Sequence, residues 1–132
     1  MVKILLVTSV LCFSVVSGFG QKEVCTTLAG CLDELKINPP RSSVHYRVAE
    51  IALQRRDLVQ AANEFRTALI GDLQPKWIEV WSHLELGKIF DMTGQRDRAL
   101  NEYRLAQQTG DDTGGALDEV AKYIASPYKK RQ

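Results

Sequence analysis

Only four of the 132 residues are proline and three are cysteine, and neither charge sign predominates. So little proline excludes collagen-like and proline-rich disordered chains. Three cysteines cannot build a disulfide-dense scaffold. A formal charge of +1 argues against a general nucleic-acid or anionic-membrane binder, which carries a basic excess. Two histidines are too few for the usual zinc shell. There is no Gly-rich phosphate loop, no metalloprotease helix motif and no nucleophile elbow. The residues therefore call for no metal, no cofactor and no catalytic constellation. Composition is ordinary for a globular chain, 45% hydrophobic and 25% charged. The length suits one domain with a modest core. It leaves little room for an enzyme with a separate cofactor domain.

Long hydrophobic runs are also scarce. The longest, residues 4–16, has 13 residues, short of the roughly 20 that span a bilayer. It is interrupted only by Thr8, Ser9 and Ser14, follows Lys3, and precedes Ser17, Gly18 and Gly20. This order is that of a secretory signal peptide. Residues 1–20 are read as that signal, with cleavage before Gln21 preferred, a cut after Ser17 or Gly18 as the alternative, and export to the periplasm or the exterior. Left uncleaved, the same segment is the chain's one route to a membrane. Cleavage leaves 112 residues with 16 basic and 16 acidic side chains, hence no net charge. Cys25 and Cys31 remain, and export permits a disulfide between them. On one continuous helix their spacing of six puts them about 240° apart, so a bond requires a break in that helix. Two separate thiols are the alternative.

An internal repeat organises the rest. Residues 45–68 align with residues 83–106 at a shift of 38. His45 matches His83, Val48-Ala49 matches Leu86-Gly87, and Ile51 matches Ile89. Asn63-Glu64-Phe65-Arg66 matches Asn101-Glu102-Tyr103-Arg104, with Ala61/Ala99 and Ala68/Ala106 on either side. Periods of this length mark stacked supersecondary units. Apolar residues at helical spacing predict two helices per unit. Thr93-Gly94-Gln95 is the turn of the second unit, with Gly94 as a left-handed cap. The small residues Ala49/Gly87 and Ala61/Ala99 fall where paired helices cross, and larger side chains there would force the axes apart.

The pattern Leu86-Gly87, Phe90, Ala99, Tyr103, Ala106 resembles the tetratricopeptide repeat. Val48-Ala49, Ala61, Phe65 and Ala68 match it less completely, because Ala52 replaces the aromatic. The resemblance implies an all-α fold: a short solenoid of antiparallel helix pairs with a C-terminal capping helix. Residues 42–75 make the first unit. Residues 76–113 make the second, whose first helix gains one turn at residues 75–79. Residues 21–41 form an N-terminal half-repeat or cap, with one helix read over 23–37 (Val24, Leu28, Leu32, Leu35). Residues 114–125 form the capping helix behind Asp111-Asp112, whose carboxylates suit a helix start. Residues 126–132 form a basic tail, read as frayed.

The same resemblance implies a groove, lined by the first helix of each unit, that takes a protein or peptide. It places Ser43, Tyr46, Glu50 and Gln54 there from one unit, and Trp81, Leu84, Lys88, Asp91 and Met92 from the next. Aromatic and methionine side chains among charges suit protein contact. Glu64 and Glu102 are read as outward-facing beside Arg66 and Arg104, and the two histidines as turned into equivalent helix–helix contacts. The expected function is a non-enzymatic protein–protein interaction module, a scaffold or assembly factor of the cell envelope. Self-association into a homo-oligomer is the second reading, and a small metal-binding protein or enzyme the third.

Overall fold

The computed structural model describes residues 25–130. The expected signal, residues 1–20, lies outside the described residues. Among the described residues the chain is all helical, with six α-helices, one 3₁₀ turn and no strand. Helix α1 is Leu28–Ile37, α2 Ser42–Gln54, α3 Leu58–Leu69, α4 Trp77–Met92, α5 Arg96–Thr109 and α6 Ala116–Ala125. The 3₁₀ turn is Thr113–Gly115.

Local chemistry sets these limits. Thr27 caps α1 by accepting from the Gly30 N–H at 3.2 Å, and Pro39-Pro40 cannot prolong it. Asp57 caps α3 through the Gln60 N–H at 2.9 Å. Gly110, at φ 66°, closes α5. Asp112 accepts from the Leu117 N–H at 2.9 Å at the start of α6, and Asp111 from the Thr113 N–H at 2.8 Å.

Only residues 55–57 separate α2 from α3, and only residues 93–95 separate α4 from α5. Links this short make each pair antiparallel neighbours. Helices α2, α4 and α6 touch in sequence and form one layer, while α3 and α5 pack against them as a second. Helix α1 lies on α2. The shift of 38 carries the first residue of α3, Leu58, onto the first residue of α5, Arg96. It carries Ser42, the first of α2, onto Val80, so α4 has three further residues in front: Trp77, Ile78 and Glu79. That is nearly one turn. Ile78 in it is fully buried, and Trp77 meets Tyr46 edge-on at 5.1 Å between ring centroids.

The core follows the small residues. Ala49, Ala61, Ala68, Ala99 and Ala106 are completely buried together with Phe65 and Tyr103. A Cβ on Gly87 would lie 2.2 Å from Tyr103 Cε1. Glycine there is what allows α4 and α5 to approach around a tyrosine, whereas Ala49 faces the equivalent Phe65 position of the first pair. A second cluster joins Cys31 to Val44, Val48 and Ile51 under α1.

Two expectations need correction. The first helix does not begin at residue 23. It begins at Leu28, after the Thr27 cap, so Cys25 lies outside it. This is the break that lets Cys25 and Cys31 form a disulfide, with Cα atoms 5.0 Å apart. The basic tail is not frayed as far as Tyr128. The Tyr128 N–H donates to Asp91 Oδ2 at 2.7 Å, and its ring meets Tyr123 edge-on at 5.2 Å.

Candidate functional site

The residues expected to line a groove all belong to the α2–α4–α6 layer, but several are not on its surface. Tyr46 is buried, packed edge-on against Phe65 and Trp77. Burial, with Glu85 and Glu50 nearby, pushes its hydroxyl pKa far above the ordinary tyrosine value. Leu84 is completely buried and Ser43 nearly so. The reason is the position of α4, which α2, α3, α5 and α6 all contact. Only a narrow stripe of α4 is left open. Tyr46 and Leu84 occupy equivalent repeat positions and serve the core. The outer surface is formed by Arg47, Glu50, Gln54, Trp81, Glu85, Lys88 and Met92, of which only Gln54 is exposed and the rest are half-buried.

Lys88 is the centre of this surface. Its ammonium lies 2.8 Å from Glu85 Oε1 and 3.1 Å from Glu119 Oε2. Three rings surround it, with centroids at 5.8 Å for Trp81 and 5.6 Å for Tyr123 and Tyr128. Burial alone would lower the lysine pKa, but the two carboxylates outweigh it and hold the pKa above its usual value. The side chain therefore remains charged although only 12% exposed. Trp81 is fixed by its Nε1–H, which donates to the Thr113 carbonyl at 2.9 Å. Beside the cluster opens a hollow of about 510 Å³ between α6 and the tail, edged by Tyr123, Tyr128, Lys122, Lys129 and Lys130. On the α2 side, Arg47 donates to Glu50 at 2.9 Å.

Asp91 is also not a surface residue. Its side chain is fully buried. It receives Arg96 Nη1 at 3.0 Å, the Tyr103 hydroxyl at 2.8 Å and the Tyr128 N–H at 2.7 Å. Arg96 Nη2 reaches on to the Ile124 carbonyl at 2.7 Å. The repeat makes sense of this cluster. Asp91, Arg96 and Tyr103 stand where the first unit has Leu53, Leu58 and Phe65. An apolar trio in the internal pair becomes a polar trio in the last one, where there are backbone groups of α6 and the tail to satisfy.

The two histidines do turn into equivalent contacts. His45 Nδ1 is 2.7 Å from Glu64 Oε2, and His83 Nδ1 is 2.7 Å from Glu102 Oε2. Glu64 and Glu102 thus face inward across the helix pair, not outward toward Arg66 and Arg104. His45 Nε2 also lies 3.0 Å from the Pro39 carbonyl. Both neighbours of its ring accept, so both ring nitrogens must carry protons to satisfy them. The hydrogen bond to Glu64, against a smaller opposing effect of burial, raises the His45 pKa above 6.5. Among the described residues no group of three or more His, Cys, Asp or Glu side chains is placed to hold a metal. No helix among them is long and apolar enough to cross a membrane.

Sequence reasoning missed Glu85, Glu119, Tyr123 and Tyr128 as neighbours of Lys88. Glu85 was within reach, since i and i+3 share a helix face. The other three come from α6 and the tail, and no local spacing places those on α4. The His–Glu bridges did leave a signal: both partners recur at the 38-residue shift. No protein family, curated protein or solved structure significantly matches the chain.

Proposed function

We propose that the chain is a short tetratricopeptide-like solenoid that binds another protein without catalysis, as a scaffold or assembly factor. The observation that carries the architectural part is the twice-built helix pair. The His45–Glu64 and His83–Glu102 bridges have the same geometry 38 residues apart, and α3 and α5 begin in register. One unit has been used twice, with α1 and α6 at its ends. Two units and their flanking helices set α2, α4 and α6 side by side with a narrow outward stripe, and solenoids use such faces to hold partners.

That face offers Glu50, Gln54, Met92 and the aromatic surroundings of Lys88 to a peptide or protein. Export is supported by the N-terminal pattern and by the Cys25–Cys31 bond, which oxidising compartments permit. The decisive experiment changes side chains on this face, Gln54 exposed and Glu50 and Met92 half-buried. Glu50→Lys, Gln54→Ala and Met92→Ala combined should abolish capture of one or more proteins that the parent retains from a cell-envelope extract, read by mass spectrometry. An identical protein set on parent and variant would sink the reading.

Self-association is the second reading, favoured by one observation. Helix α1 exposes Leu32 and Ile37, the latter 84% accessible, and α2 is the one helix that packs extensively on it. Light scattering of the parent against Leu32→Ser with Ile37→Ser decides it: a mass that halves supports a dimer, and a monomer in both rejects it.

A further inference from the structure

A different surface lies in the furrow between α3 and the α4–α5 turn. Its floor is Phe90, almost wholly buried, with Leu58, Ala62 and Ile89 beside it. The cavity there measures about 180 Å³. That is below the roughly 300–1,000 Å³ of small-molecule sites, and it matches a single side chain entering from outside. At its edge Val59 is 74% exposed, an apolar side chain without cover.

Two arginines close on the same ring. The Arg98 guanidinium carbon is 4.0 Å from the Phe90 centroid and that of Arg66 is 5.6 Å away. Each is steadied by a neutral amide oxygen of its own neighbourhood. Arg66 donates to Asn63 Oδ1 at 3.1 Å, and Arg98 to Gln95 Oε1 at 2.5 Å. Several other cations on packed surfaces have carboxylates: Arg41 has Glu34, Arg47 has Glu50, Lys88 has Glu85 and Glu119, and Arg96 has Asp91. Neither Arg66 nor Arg98 forms an ion pair among the described residues. Asp57, the acid that begins α3, is occupied in capping it. Two guanidiniums held over an aromatic ring lose little freedom on binding, and their forked donors suit carboxylates.

We propose that this furrow docks an acidic protein segment in which one aliphatic side chain is flanked by carboxylates. The aliphatic group fills the cavity against Leu58, Ala62 and Ile89. The carboxylates pair with Arg66 and Arg98. A protein segment suits the site better than a nucleic acid, because Leu58, Val59, Ala62, Ile89 and Phe90 give the cavity an apolar side and the chain as a whole carries a charge of only +1.

The test is fluorescence anisotropy of the purified chain with a labelled peptide, Ser-Glu-Glu-Leu-Glu-Glu-Ser. Saturable binding is expected, weakening at least tenfold in Arg66→Gln with Arg98→Gln. Replacing the peptide's Leu by Gly should also weaken it. The control Lys36→Gln with Arg104→Gln removes two exposed charges elsewhere and should leave binding unchanged. The proposal is overturned by absence of saturable binding, by equal loss in the control, or by tighter binding of a twelve-nucleotide single strand of DNA. It is also overturned if the Arg66/Arg98 variant converts a dimer to a monomer by light scattering, since the occupant is then a second copy. The α2–α4–α6 reading is tested with other residues, Glu50, Gln54 and Met92, so either can fail alone.

Discussion

Arg56 and Gly94 occupy the same place in the two helix pairs, and both have positive φ, 61° and 74°. Glycine adopts that conformation without cost, whereas an L side chain is disfavoured there by about 1–2 kcal/mol. Part of the gain from glycine is returned through the freer unfolded chain. Arg56→Gly should therefore raise the unfolding free energy by about 0.5–1 kcal/mol, measured by urea denaturation. A lower midpoint would show that the arginine side chain makes a stabilising contact. Gly87 is the opposite case. Its helical backbone asks for no glycine, but Tyr103 leaves no room for a Cβ.

Among elements, α1 depends most on a covalent tie. It packs chiefly on α2, through Cys31, Leu28 and Leu35 on Val44, Val48 and Ile51. Its disulfide closes a loop of separation six, for which chain entropy gives about 2 kcal/mol. Reduction should lower the unfolding free energy by about that amount and raise amide exchange first in α1. Unchanged exchange in α1 after reduction would mean that packing alone holds it. The α2–α3 pair should show a pH dependence through His45. Its pKa is raised in the folded chain, so the Glu64 bridge stabilises fully below about pH 6.5 and fades as pH rises through the folded value. The stability advantage of the parent over Glu64→Gln should then shrink from pH 5.5 to pH 8.5. An advantage that grows over this interval would contradict the assigned protonation.

For the whole molecule, the tail behaves as part of the last layer. Tyr128 joins buried Asp91 by its N–H and covers Lys88 with its ring. Hydrogen bonds to charged groups contribute about 1.5–3 kcal/mol. A chain ending at Ser126 should lose about 1.5–3 kcal/mol of stability, seen as a lower urea midpoint. Its Lys88 amine should also label faster with an acylating reagent. Equal stability and equal labelling would show the tail to be dispensable.

The periodic apolar residues, the 38-residue repeat and the turn residues determined the all-helical chain, its helix pairs and the caps at Asp111 and Asp112. Those signals are local or repeat along the chain, so sequence displays them. The small residues at 49, 87, 61 and 99 likewise announced close helix crossings, because only their size permits the approach. Tertiary structure alone decided which groove residues stayed outside. Tyr46, Leu84 and Asp91 lie at helical positions indistinguishable in sequence from those of Glu50 and Lys88. What separates them is how many other helices reach α4, together with the return of α6 and the tail over Lys88. The disulfide was settled the same way. Cys25 and Cys31 could meet only because the chain turns at Thr27, and a spacing of six by itself does not say whether it will.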